Sequence, residues 1–98
     1  MTKQQVDRIR RQYGDEYLYR QLAEECMELS HAALKLIRAQ RGETPVPLGE
    51  AQEALLEEAA DVRVMLDALE KLLDVDGRVH LIGQTAAGQH RKGMRAVR

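Results

Sequence analysis

Apolar residues recur at alternating steps of three and four over two long segments of the chain, which is the spacing of one face of an α-helix. In the first segment these positions are Leu18, Leu22, Glu25, Leu29, Ala32 and Leu36. In the second segment they are Ala51, Leu55, Glu58, Val62, Met65, Leu69 and Leu72. Each stripe is apolar except for one glutamate near its middle. The pattern predicts two long amphipathic helices, each with an acidic residue in its apolar face.

Turn-forming residues separate four helical segments. Gly14 is expected to end the first segment, Asp15 to act as the N-cap of the second, and Gly42 to follow its last turn. The stretch 42–49 holds both prolines and two glycines and predicts a connection. Three glycines make the last helix weak. The predicted helices span residues 2–12, 15–41, 50–73 and 79–87.

The two long helices predict the architecture of the whole chain. A short link between them favours an antiparallel hairpin. The chain has 98 residues, no Phe and no Trp, so we expect one all-α domain over 1–98 with an aliphatic core. Two helices alone leave half of their apolar surface in water, and the hairpin over about 15–75 is therefore expected to complete a four-helix bundle with a second copy, as a homodimer or homotetramer.

Charge and cysteine usage narrow the partners and the compartment. The formal net charge is −1, yet all 16 acidic residues lie in 1–77, and the basic C-terminal segment 78–98 holds five Lys and Arg and no acid. Such a segment suits phosphate or nucleic acid, and it equally suits a solvated terminus. Nucleic acid is not expected as a partner. We expect a cytoplasmic protein with no membrane partner, because no apolar run is long enough to span a bilayer and the single cysteine, Cys26, predicted to be buried, has no internal partner.

Paired carboxylates are the chemical feature of both stripes. Glu28 follows Glu25, and Asp61 follows Glu58, at the i+3 spacing that puts each pair on one helix face. No Lys or Arg interrupts either stripe, so converging carboxylates oppose folding unless a cation lies among them. Oxygen ligands without Cys or His select Mg²⁺ or Mn²⁺. The pattern therefore indicates chemistry on phosphate esters or phosphoanhydrides.

A family resemblance follows from these acids. Residues 24–28 read EECME and residues 58–61 read EAAD. Together they resemble the EExxE…ExxD signature of the MazG-like nucleoside triphosphate pyrophosphohydrolases, and the resemblance covers residues 15–75. It implies an all-α dimer or dimer of dimers that requires Mg²⁺. Such an enzyme cleaves a nucleotide between the α and β phosphates, giving a nucleoside monophosphate and pyrophosphate.

The resemblance also implies roles for individual residues. Glu24 and Glu25 would be the catalytic acids, with Glu24 orienting a ligand or the attacking water. Mg²⁺ is the expected ion, and Mn²⁺ is an alternative. The implied metal ligands are Glu25, Glu28, Glu58 and Asp61.

Further candidates for contact with a substrate come from residue type and position. Lys35 and Arg38 follow the acidic pair of the first long helix by two to three turns and are candidates to bind phosphates. Tyr17 is a candidate to stack on a base. Arg91 and Lys92 are candidates to contact pyrophosphate across a subunit boundary. For each of these residues, a surface or packing role is the alternative.

Other functions fit the same pattern. A non-catalytic helical dimerisation or regulatory module would need only the amphipathic helices. Among enzymes, a phosphoribosyl-ATP pyrophosphohydrolase and a dimeric dUTPase-like enzyme share the metal scheme of the family. The sequence does not choose a base or a sugar.

Overall fold

The chain folds into four α-helices. The structure is a computed structural model that describes the backbone of residues 1–97 and the side chains of residues 1–87. No strand occurs in this part of the chain, which confirms the all-α expectation. None of the helices among the described residues has an apolar stretch sufficient to cross a bilayer. The helices are α1 (Lys3–Tyr13), α2 (Asp15–Gln40), α3 (Leu48–Leu72) and α4 (Arg78–Val97).

Helices α2 and α3 lie side by side along most of their length and form the predicted hairpin. Gly42 adopts φ +68° just after α2, a left-handed conformation that costs glycine little. Pro47, in an extended conformation, leads into α3. Every position of the two predicted stripes is buried or half-buried, including Glu25 and Glu58. The alternating pattern thus identified the seam between the helices correctly.

Helix α1 covers one end of the hairpin. Thr2 and Gln5 form a capping box, with Thr2 Oγ1 accepting from the Gln5 backbone N–H at 3.1 Å and Gln5 Oε1 accepting from the Thr2 N–H at 2.8 Å. Val6 is fully buried against Leu18, Ala68 and Leu72. This small cluster fixes α1 at the end of the hairpin remote from the connection.

The turn between α1 and α2 corrects one prediction. Asp15 is the first residue of α2 and not its N-cap, a place that Gly14 takes with φ +85°. Because one glycine turns the chain, no extended position remains for Asp15. Its carboxylate instead accepts a hydrogen bond from Arg10 Nε at 2.8 Å.

Helix α4 is longer than predicted, spanning Arg78–Val97 and not only residues 79–87. Its start is fixed by a contact between distant residues. Glu70 Oε2 of α3 accepts a hydrogen bond from the Val79 backbone N–H at 3.0 Å. This hydrogen bond satisfies one of the free N–H groups in the first turn of α4. Helix propensity alone could not predict it, because Glu70 lies on another helix.

The hairpin has a broad exposed apolar face on the side turned away from α1. In two antiparallel helices, positions rotated by the same angle from the shared seam face the same side. Cys26 belongs to this face and is exposed, so the prediction of a buried cysteine was wrong. We call it the outer apolar face, formed by Tyr19, Ala23, Cys26, Met27, Leu34, Ile37, Leu48, Leu56, Ala59 and Ala60.

Candidate metal centre

Three carboxylates from the two helices converge halfway along the hairpin. One oxygen each from Glu25, Glu58 and Asp61 lies within 4.8 Å of the others. Glu25 and Glu58 are half-buried in the seam, and Asp61 is exposed at its edge. The seam positions follow from the stripe: the apolar neighbours one turn before and after hold each glutamate between the helices.

Glu28 extends this group to a fourth carboxylate. It is exposed, one turn after Glu25 on α2. Its charge is among the causes that raise the pKa of both Glu25 and Glu58, so Glu28 lies near both of them. The hairpin therefore brings oxygens of Glu25, Glu58 and Asp61 together and places the fourth candidate ligand, Glu28, beside them.

Two of these carboxylates have buried oxygens without a donor. Oε2 of Glu25 and Oε2 of Glu58 are inaccessible to solvent and accept no hydrogen bond. A buried anionic oxygen without a partner is costly, because the lost hydration is not replaced. None of the four acids forms a salt bridge with another described side chain. The missing partner is thus not a lysine or arginine of the described chain.

The surroundings of Glu25 and Glu58 disfavour the ionised form of both carboxyl groups. Burial is the main cause that raises the pKa of Glu25, followed by the charges of Glu28, Asp61 and Glu58. Burial also leads for Glu58, whose pKa is raised further by Glu28, Asp61 and Glu57. Clustered carboxylates with raised pKa values are a frequent property of functional sites. A divalent cation would reverse this balance by stabilising the charged form of every ligand.

Glu24 lies outside the carboxylate group. It is exposed, and its Oε2 accepts a hydrogen bond from Gln21 Nε2 at 3.4 Å. Helical rotation puts Glu24 on the same side of α2 as Glu28. The predicted accessory acid is therefore near the centre but is not among the converging oxygens.

A groove of about 350 Å³ opens near the connection, on the side of the hairpin that carries Glu28. Lys35 and Arg38, the candidates for phosphate contact, both line it. Its other walls were not predicted from the sequence. The alanines at the end of both stripes nearest the connection were the feature of the sequence that could have indicated a groove there. These other lining residues are Ala32, Thr44, Val46, Glu50, Ala51 and Ala54.

Tyr17 does not share this groove. Its ring stacks on Tyr13 of α1, with centroids 4.7 Å apart. At 1.5 Å per residue, Tyr17 and Lys35 are about 27 Å apart along α2, on opposite sides of the carboxylates. The structure therefore does not bring the predicted substrate contacts into one subsite. The side chains of Arg91 and Lys92 lie outside the described residues.

No protein-family model, curated protein or solved structure matches this chain. The family resemblance therefore rests on the two acidic motifs alone. The convergence of their carboxylates is a separate observation, made on the structure.

The raised pKa values predict how stability depends on pH without metal. Protons on Glu25 and Glu58 bind more tightly in the folded chain, so their stabilisation is fully present below the unfolded value of 4.5. This stabilisation is lost as pH rises through the raised pKa values. In EDTA, the free energy of unfolding should include this decrease as the pH rises above 4.5, and Glu58→Gln should reduce it. Denaturant unfolding at a series of pH values measures the effect.

The matched control is Glu53→Gln, an exposed acid on the same helix that lies outside the cluster. It should keep the pH dependence of the parent. Asp67 does not interfere, because its pKa is lowered from 3.8 by Lys71 and its contribution is lost only below that pH. A Glu58→Gln variant with the parent's pH dependence would contradict the mutual repulsion of these carboxylates.

Proposed function

We propose that this protein is a Mg²⁺-dependent nucleoside triphosphate pyrophosphohydrolase of the MazG-like kind. It cleaves the α–β phosphoanhydride to give a nucleoside monophosphate and pyrophosphate. The observation that carries this proposal is the pair of buried, donor-free oxygens on Glu25 and Glu58, two of the three acids whose carboxylates converge. The spacing of these acids in the sequence resembles the family signature.

The residues fit a hard divalent cation. All the converging donors are carboxylate oxygens, and no histidine or cysteine is among them. Glu25 and Glu58 would hold Mg²⁺ from the seam, and Glu28 and Asp61 would hold it from the open side. Mn²⁺ accepts the same ligands. When bound, the ion neutralises phosphate charge and lowers the pKa of a coordinated water.

The chain's own residues would perform the remaining tasks. The seam fixes the side chains of Glu25 and Glu58, which keeps the ligand oxygens in place before the substrate binds. The open side, where Glu28 and Asp61 are exposed, is the approach for a phosphate chain. Glu24 lies on this side as an accessory acid that orients a ligand or the attacking water and can accept its proton.

We further propose that the native protein is a homo-oligomer whose outer apolar faces meet in a four-helix bundle. Large apolar side chains of this face are exposed, among them Leu34 at 59% and Leu56 at 64%. A second copy that presents the same face would cover them and remove their apolar surface from water. Association through this face leaves the carboxylates, on the other side of the hairpin, accessible to a substrate.

The outer apolar face also favours a second candidate function, a non-catalytic dimerisation or regulatory module. Such a module accounts for the exposed Leu34 and Leu56. It gives no reason for unpartnered glutamate oxygens in the seam, where leucine would stabilise the hairpin at lower cost. For this reason the enzyme is the preferred proposal.

Replacing either seam glutamate tests catalysis. Glu25→Gln and Glu58→Gln each remove a ligand charge and keep the side-chain volume, so both should lower pyrophosphate release by about 100-fold or more. The assay measures pyrophosphate from a panel of nucleoside triphosphates with Mg²⁺. Circular dichroism should show unchanged helix content, and Glu53→Gln should retain the parent rate. Near-parent rates in both seam variants would exclude this metal site.

Metal binding can be tested without knowledge of the substrate. A cation that binds only the folded chain raises its stability, and Mg²⁺ or Mn²⁺ at tenfold excess over Kd should raise Tm by roughly 7 °C. Glu58→Gln should lose most of this rise, and Glu53→Gln should keep it. The melts are repeated with a non-hydrolysable nucleotide analogue. No shift of Tm under either condition would leave the non-catalytic module as the better explanation.

Charge on the outer apolar face should disrupt assembly. Leu34→Glu and Leu56→Glu put carboxylates where leucines that are 59% and 64% exposed would meet a second copy. Both should shift sedimentation equilibrium toward the 11.1 kDa monomer at micromolar concentration. Leu81→Glu, at a 62% exposed leucine on α4, is the matched control and should remain oligomeric. A parent protein that sediments as a folded monomer would refute the oligomer.

A further inference from the structure

Four residues that line the groove near the connection lie seven positions from the four carboxylates, at equivalent places on the two helices. Ala32 and Lys35 follow Glu25 and Glu28 by seven positions on α2. On α3, which runs in the opposite direction, Ala51 and Ala54 precede Glu58 and Asp61 by seven positions. Residues seven apart share a helix face, so the groove continues the metal centre on the same side, roughly 10 Å nearer the connection.

Small side chains create this space. Ala32, Ala51 and Ala54 stand where larger residues of the two helices would meet, and they leave a volume of about 350 Å³. This volume lies within the range of small-molecule pockets, about 300–1,000 Å³. Val46 of the connection closes one wall. An apolar floor of this kind suits a flat organic group better than a string of phosphates.

Two basic side chains lie at the edge of the groove. Lys35 and Arg38 line it and form no salt bridge with another described side chain. Lys35 is the nearer of the two to the carboxylates along α2, because it follows Glu28 by two helical turns and Arg38 comes about one turn later. Thr44 and Glu50 supply the other polar atoms. The order along the hairpin is therefore carboxylates, a lysine, and then an apolar recess with a hydroxyl and an acid.

From this order we infer that the groove holds the nucleoside part of the substrate and that Lys35 contacts the phosphate chain between the nucleoside and the metal centre. The inference rests on the proposed function and adds to it the place of the nucleoside and the residue that contacts the phosphate chain. A nucleotide fills both parts of the site, whereas an inorganic polyphosphate fills only the carboxylate and lysine part. The protein should therefore bind nucleotides in preference to tripolyphosphate.

Binding measurements test this without turnover. Calorimetry is carried out in Mg²⁺ with inorganic tripolyphosphate and with the α,β-imido analogues of dATP, dCTP, dGTP and dUTP. In the parent, the best nucleotide should bind at least about tenfold more tightly than tripolyphosphate. Ala54→Leu fills the groove from an exposed position, so it should remove most of that preference and leave tripolyphosphate binding unchanged. Lys35→Gln should weaken the binding of both ligands.

Controls and a second groove variant complete the test. Ala86→Leu, at an exposed alanine of α4, is matched to Ala54→Leu, and Arg20→Gln on α2 is matched to Lys35→Gln; both should bind as the parent does. Val46→Trp fills the groove from the connection, where no helix is affected, and it should reproduce the loss if Ala54→Leu does not fold.

The outcomes separate the two proposals. If the groove variants keep the nucleotide preference while Glu58→Gln abolishes hydrolysis, the groove assignment is wrong and the proposed function stands. A parent that shows no preference for nucleotides over tripolyphosphate also overturns the groove assignment. If the parent binds none of these ligands in Mg²⁺, the groove assignment and the proposed function both fail.

Discussion

The burial of Glu25 and Glu58 in an otherwise apolar seam is the constraint on which the rest of this structure depends. The neighbouring positions of both stripes are aliphatic, and the inner oxygens are inaccessible to solvent and have no donor. Their charge can be compensated only from the side where Glu28 and Asp61 are exposed. A hairpin built for stability alone would carry leucine at both positions. The two glutamates therefore lower the stability of the free chain and, at the same time, define where a cation would bind.

This constraint divides the hairpin into two sides with different requirements. Under the proposed function, the side with the carboxylates must remain open, because the cation and its ligand would approach there. The outer apolar face has the opposite requirement, since side chains such as Leu34 and Leu56 gain stability only when they are covered. Helix α1 covers one end of the open side through Val6 and leaves the centre free. Association through the outer face would thus stabilise the hairpin without closing the site.

The sequence predicted what repeats along a helix and missed what depends on single contacts between distant residues. The stripes identified the seam and the four acids, because a spacing of three and four residues determines which side chains share a face. The N-cap at Asp15 was wrong because Gly14 alone turns the chain. The start of α4 depends on Glu70, eight residues before the helix, which caps its first turn. Its continuation to Val97 was missed because three glycines lower the helix propensity of this segment without ending the helix. The groove was not predicted, since its wall at Val46 belongs to the connection and has no periodicity.

The proposed metal ligands and the proposed nucleoside groove come from different parts of the chain. The carboxylates come from the middle of α2 and α3, where the seam fixes them and where a substitution alters the packing of both helices. Thr44 and Val46 of the groove come from the connection between the helices, outside any regular structure. Loops tolerate substitution and insertion far better than packed helices do. A change of sequence at 43–47 can therefore reshape the groove while the carboxylate geometry, two helical turns away, stays as it is.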